Sequence, residues 1–189
     1  MLSEVIQRVS LFYLLHRIDL DLAASQRQAG CPHCGGPLHQ APYLRKPRGG
    51  PERIPDEYRY RLSLCCAREN CRRRVLPPSC LFMGRRVYWG SVILVVMTLR
   101  QQRPNGASAS RLMRLFGVPP KTIRRWAAYF RDVFPRSAPW RRIRGRVIAT
   151  VSDEKLPGSL VEHFLSCTPL PAMALTACLQ FLAVGGQAF

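Results

Sequence analysis

The chain has 189 residues, 47% of them apolar, which is enough for one hydrophobic core or two small ones. It carries 29 Lys and Arg against 11 Asp and Glu, a formal net charge of +18. The most apolar stretch, Val87–Leu99, falls well short of the roughly 20 residues that cross a bilayer, and charges at Glu4, Arg8, Arg17, Asp19 and Asp21 argue against a secretory leader.

In chain order, Leu2, Val5, Ile6, Val9, Phe12 and Tyr13 recur at helical spacing behind Ser3, a suitable N-cap, and predict an opening amphipathic helix. A second, short helix is expected over Leu20–Gln28, closed by Gly30. Residues 31–80 are rich in Cys, Pro, Gly and Arg and show little helical pattern. Within them Pro42–Asp56 reads as a flexible basic loop, and Tyr58–Leu64 alternates apolar with polar residues as a strand leading into Cys65 and Cys66. Tyr88 to Gln101 is expected to be a mostly buried helix, broken by Pro104-Asn105-Gly106. Helices follow at Ala107–Phe116 and Pro120–Val133. Pro135 and Pro139 mark a linker into the basic segment Arg141–Arg146, and two apolar helices, Leu156–Leu165 and Pro171–Val184, pack on the rest. The expected fold is mainly α with a small β zinc ribbon: an N-terminal helical segment (1–29), the ribbon (30–82), a helix-turn-helix domain (83–134), then a basic linker and C-terminal helices (135–189). Apolar helices therefore stand at both ends.

Cys31-Pro32-His33-Cys34-Gly35 is a C-x2-C knuckle, and Cys66-Ala67-Arg68-Glu69-Asn70-Cys71 is a C-x4-C hook. Four soft ligands from two such turns, Cys31, Cys34, Cys66 and Cys71, suit one tetrahedral Zn2+, and four thiolates leave no open position, so the zinc would be structural. Cys65 is an alternative to Cys66, although strand alternation turns it to the opposite face. His33 and His39 are weaker alternatives. Cys80, Cys167 and Cys178 have no partner at ligand spacing and read as small buried residues. Reduced, metal-binding thiols fit a cytoplasmic location.

The positive charge lies in two blocks. Residues 40–86 hold 12 basic and 4 acidic residues, residues 100–146 hold 13 basic and one acidic, and residues 87–99 between them are uncharged. Such blocks attract polyanions. In the second block, Leu112, Leu115 and Phe116 form one apolar stripe and Ile123, Trp126 and Phe130 another, separated by a turn at Gly117-Val118. With Ile123 and Trp126 facing inward, Lys121, Arg124, Arg125 and Ala128 face outward, where arginine can pair with guanine in a major groove. Thr122 and the helix N-terminus suit phosphate. Arg45, Lys46 and Arg48 of the basic loop, Arg72, Arg73 and Arg74 after the hook, and Arg141 and Arg142 of the basic segment are further candidate DNA contacts.

The order of C-P-x-C-G, a C-x4-C hook followed by Arg72-Arg73-Arg74 and Pro77-Pro78, then Gly117-Val118 and Thr122-Ile123-Arg124-Arg125-Trp126, resembles the front end of insertion-sequence transposases. It is similar also to small transposon-associated proteins of unknown function. The likeness covers residues 30–132 and departs at Met113, where the helix-turn-helix pattern carries alanine. It implies binding to double-stranded DNA, in company with a transposase or a second copy of the chain, in a nucleoid-associated protein. A catalytic RNase H-like core needs three spaced carboxylates. Only Asp153, Glu154 and Glu162 follow the helix-turn-helix, and Arg146–Asp153 echoes at most a first catalytic strand. The expectation is a non-enzymatic DNA-binding protein, with an RNA-binding zinc-ribbon module or an oligomeric adaptor for a transposase partner as the alternatives.

Overall fold

The computed structural model describes residues 2–84, 86–102 and 107–185, so the expected break at Pro104-Asn105-Gly106 lies outside the described residues. A single turn, α1 (Leu2–Val5), precedes a helix of 21 residues, α2 (Val9–Ala29). This corrects the expected boundaries: the interruption falls before Val9, and one helix runs on to Gly30. Leu11, Phe12, Leu15 and Asp19 keep one buried stripe through the region where a break was expected, whereas Val9 and Tyr13 are exposed. Gly30 closes the helix at φ +77°, its N–H donating to the Arg27 carbonyl at 3.3 Å.

The segment after α2 holds short strands: β1 (Leu38–Gln40), β2 (Tyr43–Leu44), β3 (Tyr60–Arg61), β4 (Leu64–Cys66) and β5 (Arg74–Val75). They form an antiparallel sheet in the order β1-β4-β5, with Leu38 opposite Cys66 and Leu64 opposite Val75, and a separate β2-β3 pair. Two expectations are corrected. The strand over Tyr58–Leu64 is replaced in its first half by a 3-10 turn at Asp56–Arg59, which shifts the alternation. Tyr60 is then 42% exposed and Arg61 only 2%. Arg61 is tolerated inside because its guanidinium donates to the carbonyls of Leu62 and Pro77. The stretch Pro42–Asp56 is no free loop either: Tyr43–Leu44 pairs with β3, and Arg48 is bridged to Tyr88.

The centre of the molecule is α3 (Gly90–Gln101), buried on every side from Gly90 to Thr98. Around it lie α4 (Ala109–Phe116), α5 (Pro120–Ala128), α7 (Gly158–Cys167) and α8 (Pro171–Val184), all in contact with it. A π-helical turn, Tyr129–Val133, prolongs α5. The helix α8 also reaches α1, α2 and α6 (Ala138–Ile143), so both ends of the chain close on one core. The small sheet has its own cluster: Cys31, Leu38, Leu64, Cys66 and Val75, with Cys34 and Cys71 against it. So few apolar side chains cannot offset the entropy of ordering that segment, and a cross-link must supply the rest.

Three further expectations change. Residues 135–146 are not a linker: α6 lies among them between two 3-10 turns, with Trp140 and Ile143 buried and the Ser137 hydroxyl accepting from the Trp140 amide at 3.3 Å as an N-cap. Arg146–Asp153 forms no strand. Asp153 opens a 3-10 turn, where its carboxylate accepts from Arg144 Nε at 3.0 Å and Trp140 Nε1 at 3.2 Å. Cys167 is exposed at the end of α7, unlike Cys80 and Cys178, which are buried.

The turn between α4 and α5 depends on Gly117, whose φ of +61° is left-handed and whose N–H donates to the Met113 carbonyl at 2.9 Å. A Cβ there would meet nothing within 4 Å, so only backbone strain opposes substitution. Gly117→Ala is expected to cost about 1 kcal/mol in urea unfolding, and Gly117→Asn less.

Candidate metal centre and nucleic-acid interface

Two turns bring four cysteines together. In the first, the Gly35 N–H donates to the Cys31 carbonyl at 2.8 Å, and Gly35 takes φ +67° so that the chain can double back. The amides of His33 and Cys34 thereby point at the Cys31 sulfur. In the second, the Cys71 and Arg72 amides both reach the Arg68 carbonyl at 3.0 Å, while the Arg68 and Arg73 amides face the Cys66 and Cys71 sulfurs. The strand pairing of Leu38 with Cys66 holds one turn against the other.

All four sulfurs lie within 4.8 Å of one another. Cys31 Sγ is 3.7 Å from Cys71 Sγ, and Cys34 Sγ is 3.5 Å from Cys66 Sγ. Metal–sulfur bonds of about 2.3 Å set the edges of a sulfur tetrahedron at about 3.8 Å, so the set fits a metal ion and is compatible with structural zinc. The separations are too long for disulfides, whose sulfurs stand about 2 Å apart. The His33 amide holds the Cys31 thiol down to about 7, while burial pushes the Cys66 thiol up to about 12. One thiolate is thus prepared by backbone donors, and a buried one needs a cation to ionise.

Cys65 lies on the other face of β4, with its thiol directed at the Arg72 carbonyl at 3.5 Å. His39 is exposed opposite Cys65, and His33 is exposed with its Nδ1 3.0 Å from an Arg73 guanidinium nitrogen. Neither belongs to the cluster.

The α5 face is amphipathic in the expected sense. Ile123 and Trp126 are buried, the latter edge-on to Tyr88 at 5.0 Å, while Lys121, Arg124 and Arg125 are exposed. Thr122 is buried, and its Oγ1 accepts from Arg125 at 3.4 Å. On α4, Leu112 and Phe116 are buried but Leu115 is 49% exposed, a correction to the apolar stripe. One residue step turns Leu115 about 100° from Phe116, while Val118 in the turn is fully buried. Met113 is exposed, so its bulk does not crowd the crossing of α4 and α5.

The remaining basic candidates separate by what their side chains touch. Lys46, Arg48, Arg72, Arg73, Arg141 and Arg142 are exposed. Arg74 reaches Ser63 Oγ at 3.0 Å and lies over the Tyr43 ring. Arg45 donates to the carbonyls of Gly84 at 2.8 Å and Arg86 at 2.6 Å and lies over the Phe82 ring. Its guanidinium clamps its own chain and does not project as a solvent-facing cation.

Two groups had no signal in the sequence. Asp19, on α2, is 2% exposed, and its carboxylate accepts from the Ser79 hydroxyl and from the Cys80 amide at 2.5 Å. Arg86 sits beside α5, half-buried, over the Tyr129 ring at 4.7 Å. Comparison with protein-family models, curated proteins and solved structures finds no match in any of the three. Among the described residues, no helix is long and apolar enough to cross a membrane.

Proposed function

We propose that the chain is a sequence-specific double-stranded DNA-binding protein, in which one structural Zn2+ at Cys31, Cys34, Cys66 and Cys71 folds a ribbon beside a helix-turn-helix. The observation that carries this reading is the α5 face: Lys121, Arg124 and Arg125 exposed on a helix whose opposite side is locked by Ile123 and Trp126. A helix held this way presents its cations as a rigid set to a major groove, where Arg124 can pair bidentately with guanine O6 and N7. Lys46 and Arg48, together with the exposed arginines of the hook and of α6, supply phosphate contacts, which add affinity without sequence preference. The zinc, enclosed by four thiolates, holds the ribbon's shape and takes no part in chemistry. The role is binding, not catalysis. A place beside a mobile element, as an accessory or regulator working with a transposase or as a homodimer, rests on the motif order alone.

Competition between duplex DNA and a structured RNA of equal length, at one salt concentration, tests the polymer class. Duplex is expected to win, and preference for RNA would replace this reading with the ribonucleoprotein one. Lys121→Ala with Arg124→Ala is expected to remove discrimination between duplex sequences, about 1–3 kcal/mol for each good base contact, while unspecific binding persists. Unchanged discrimination would show that α5 is not the reading element.

A further inference from the structure

We propose that the cleft between the β2–β3 connection, the segment before α3 and the start of α5 is a preformed seat for one backbone phosphate of the duplex, closed by Arg48, Arg86 and Arg125. The assignment rests on the DNA-binding reading and deepens it. The cleft has a volume of about 450 Å³ and is lined by three arginines from distant parts of the sequence, with Thr122 beside them. Among the described residues that line it there is no carboxylate.

Each arginine is fixed by a different contact. The Arg48 backbone is stitched to the segment before α3, its N–H donating to the Val87 carbonyl at 2.9 Å and its carbonyl accepting from Trp89 N at 3.4 Å. Arg86 lies over the Tyr129 ring. Arg125 is steadied by Thr122 Oγ1. Tyr88 and Trp126, edge to face, form the apolar wall that keeps the groups in place.

Arg86 and Arg125 repel across a half-buried space: burial, and then the nearby Arg125 charge, push the Arg86 pKa down, opposed by Tyr129. An anion removes that cost. The first turn of α5, at Pro119 and Thr122, lines the same cleft, so its positive end adds to the field there. Guanidinium groups match phosphoryl oxygens in planar, two-bond geometry, and a phosphate can accept from several at once. Arg48 and Arg125 are exposed at the mouth and adjoin Lys46 and Arg124, so the bound group can belong to an extended chain. This moves Arg125 from base reading to backbone holding and leaves Lys121 and Arg124 for base edges.

The test is the salt dependence of duplex binding for the wild type, Arg48→Ala, Arg125→Ala, the double variant, and Arg17→Ala as a control for lost charge. Both target side chains are exposed and can be removed without opening the core. Each single variant should weaken binding to every duplex alike and lower the log–log salt slope by about one, since one neutralised phosphate contributes about 0.9. Because they share one phosphate, the double variant should lose no more slope than either single. Arg17→Ala should match the wild type. Unchanged slopes in the single variants, or a double variant that loses two, would overturn the shared seat while leaving the DNA reading intact. If the wild type binds no duplex, the DNA reading fails and inorganic phosphate at constant ionic strength decides the cleft. A rise in melting temperature that Arg125→Ala abolishes would support a phosphate seat for a small ligand, and no rise would overturn it.

Discussion

Cys66→Ala is expected to release the metal and unfold the two cysteine turns and the β1-β4-β5 sheet (residues 31–40 and 64–75), while the helical core, with the segment around Arg48 and Tyr58 held against it, stays folded. The expectation follows from how unequally the two clusters are built. The main core gathers side chains from α1 through α8, whereas the small one contains Cys31, Leu38, Leu64, Cys66 and Val75, two of which belong to the candidate metal site. Zinc binding in comparable small sites contributes on the order of 10–16 kcal/mol to folding, far more than three aliphatic side chains can. Cys66 is the most buried of the four and pairs across the sheet with Leu38, so its loss removes both a ligand and a packing contact. Zinc content should fall from about one per chain to near zero. Hydrogen exchange should become fast across 31–40 and 64–75, and helical circular dichroism should change little. Cys65→Ala, on the opposite face, should retain the metal. Zinc held tightly by Cys66→Ala but lost from Cys65→Ala would exchange the two assignments.

Asp19→Ala should destabilise the protein by about 3–5 kcal/mol, the cost of stripping one partner from a buried charged network. Its carboxylate ties α2 to the segment entering α3 by accepting from Ser79 Oγ and the Cys80 and Leu81 amides, with the buried Arg61 nearby. Alanine would leave those donors without their acceptor and the Arg61 guanidinium without its nearby counter-charge. Burial raises the Asp19 pKa to about 6, against the lowering effect of these hydrogen bonds and of Arg61. The folded protein therefore holds this proton more tightly than the unfolded chain does. The stabilisation is full below about pH 4 and is lost as pH rises through about 6. In zinc-loaded protein, wild type should lose about 1 kcal/mol relative to Asp19→Asn between pH 5 and 7. Comparing these two proteins cancels proton release by the thiols, which both share. Parallel stability curves would show that Asp19 does not titrate in this range.

What the sequence makes legible follows the range of the interaction. The cysteine cluster can be read because each pair sits within one turn, and β4 alternation separates Cys66 from Cys65 within a single step. The apolar period likewise marks α5, α7 and α8, whose buried faces are decided by neighbours three and four residues away, and an unbroken uncharged run marks α3, which is buried on every side. Asp19 illustrates the opposite case. A carboxylate in mid-helix looks like a solvated position, and its partners stand 60 and 61 residues further on. The same long reach hides the role of Arg45, which looks like a phosphate ligand in a basic run but closes on carbonyls 39 and 41 residues away. Prolines at 135 and 139 suggest a linker, yet Pro139 lies in the first turn of α6, where its missing N–H costs nothing, and Trp140 behind it anchors the helix. Basic residues identify an interface only once their local partners are subtracted, and that subtraction requires the fold.

The central claim is that a metal-held ribbon and the α5 face together read duplex DNA. Selection of bound sequences from a random duplex pool, run with zinc-loaded protein and in parallel with Lys121→Ala plus Arg124→Ala, tests it most directly. A short enriched motif containing guanine, lost in the double variant, is the expected result. A wild-type pool that stays as random as the input, or a motif that survives loss of both side chains, would contradict it.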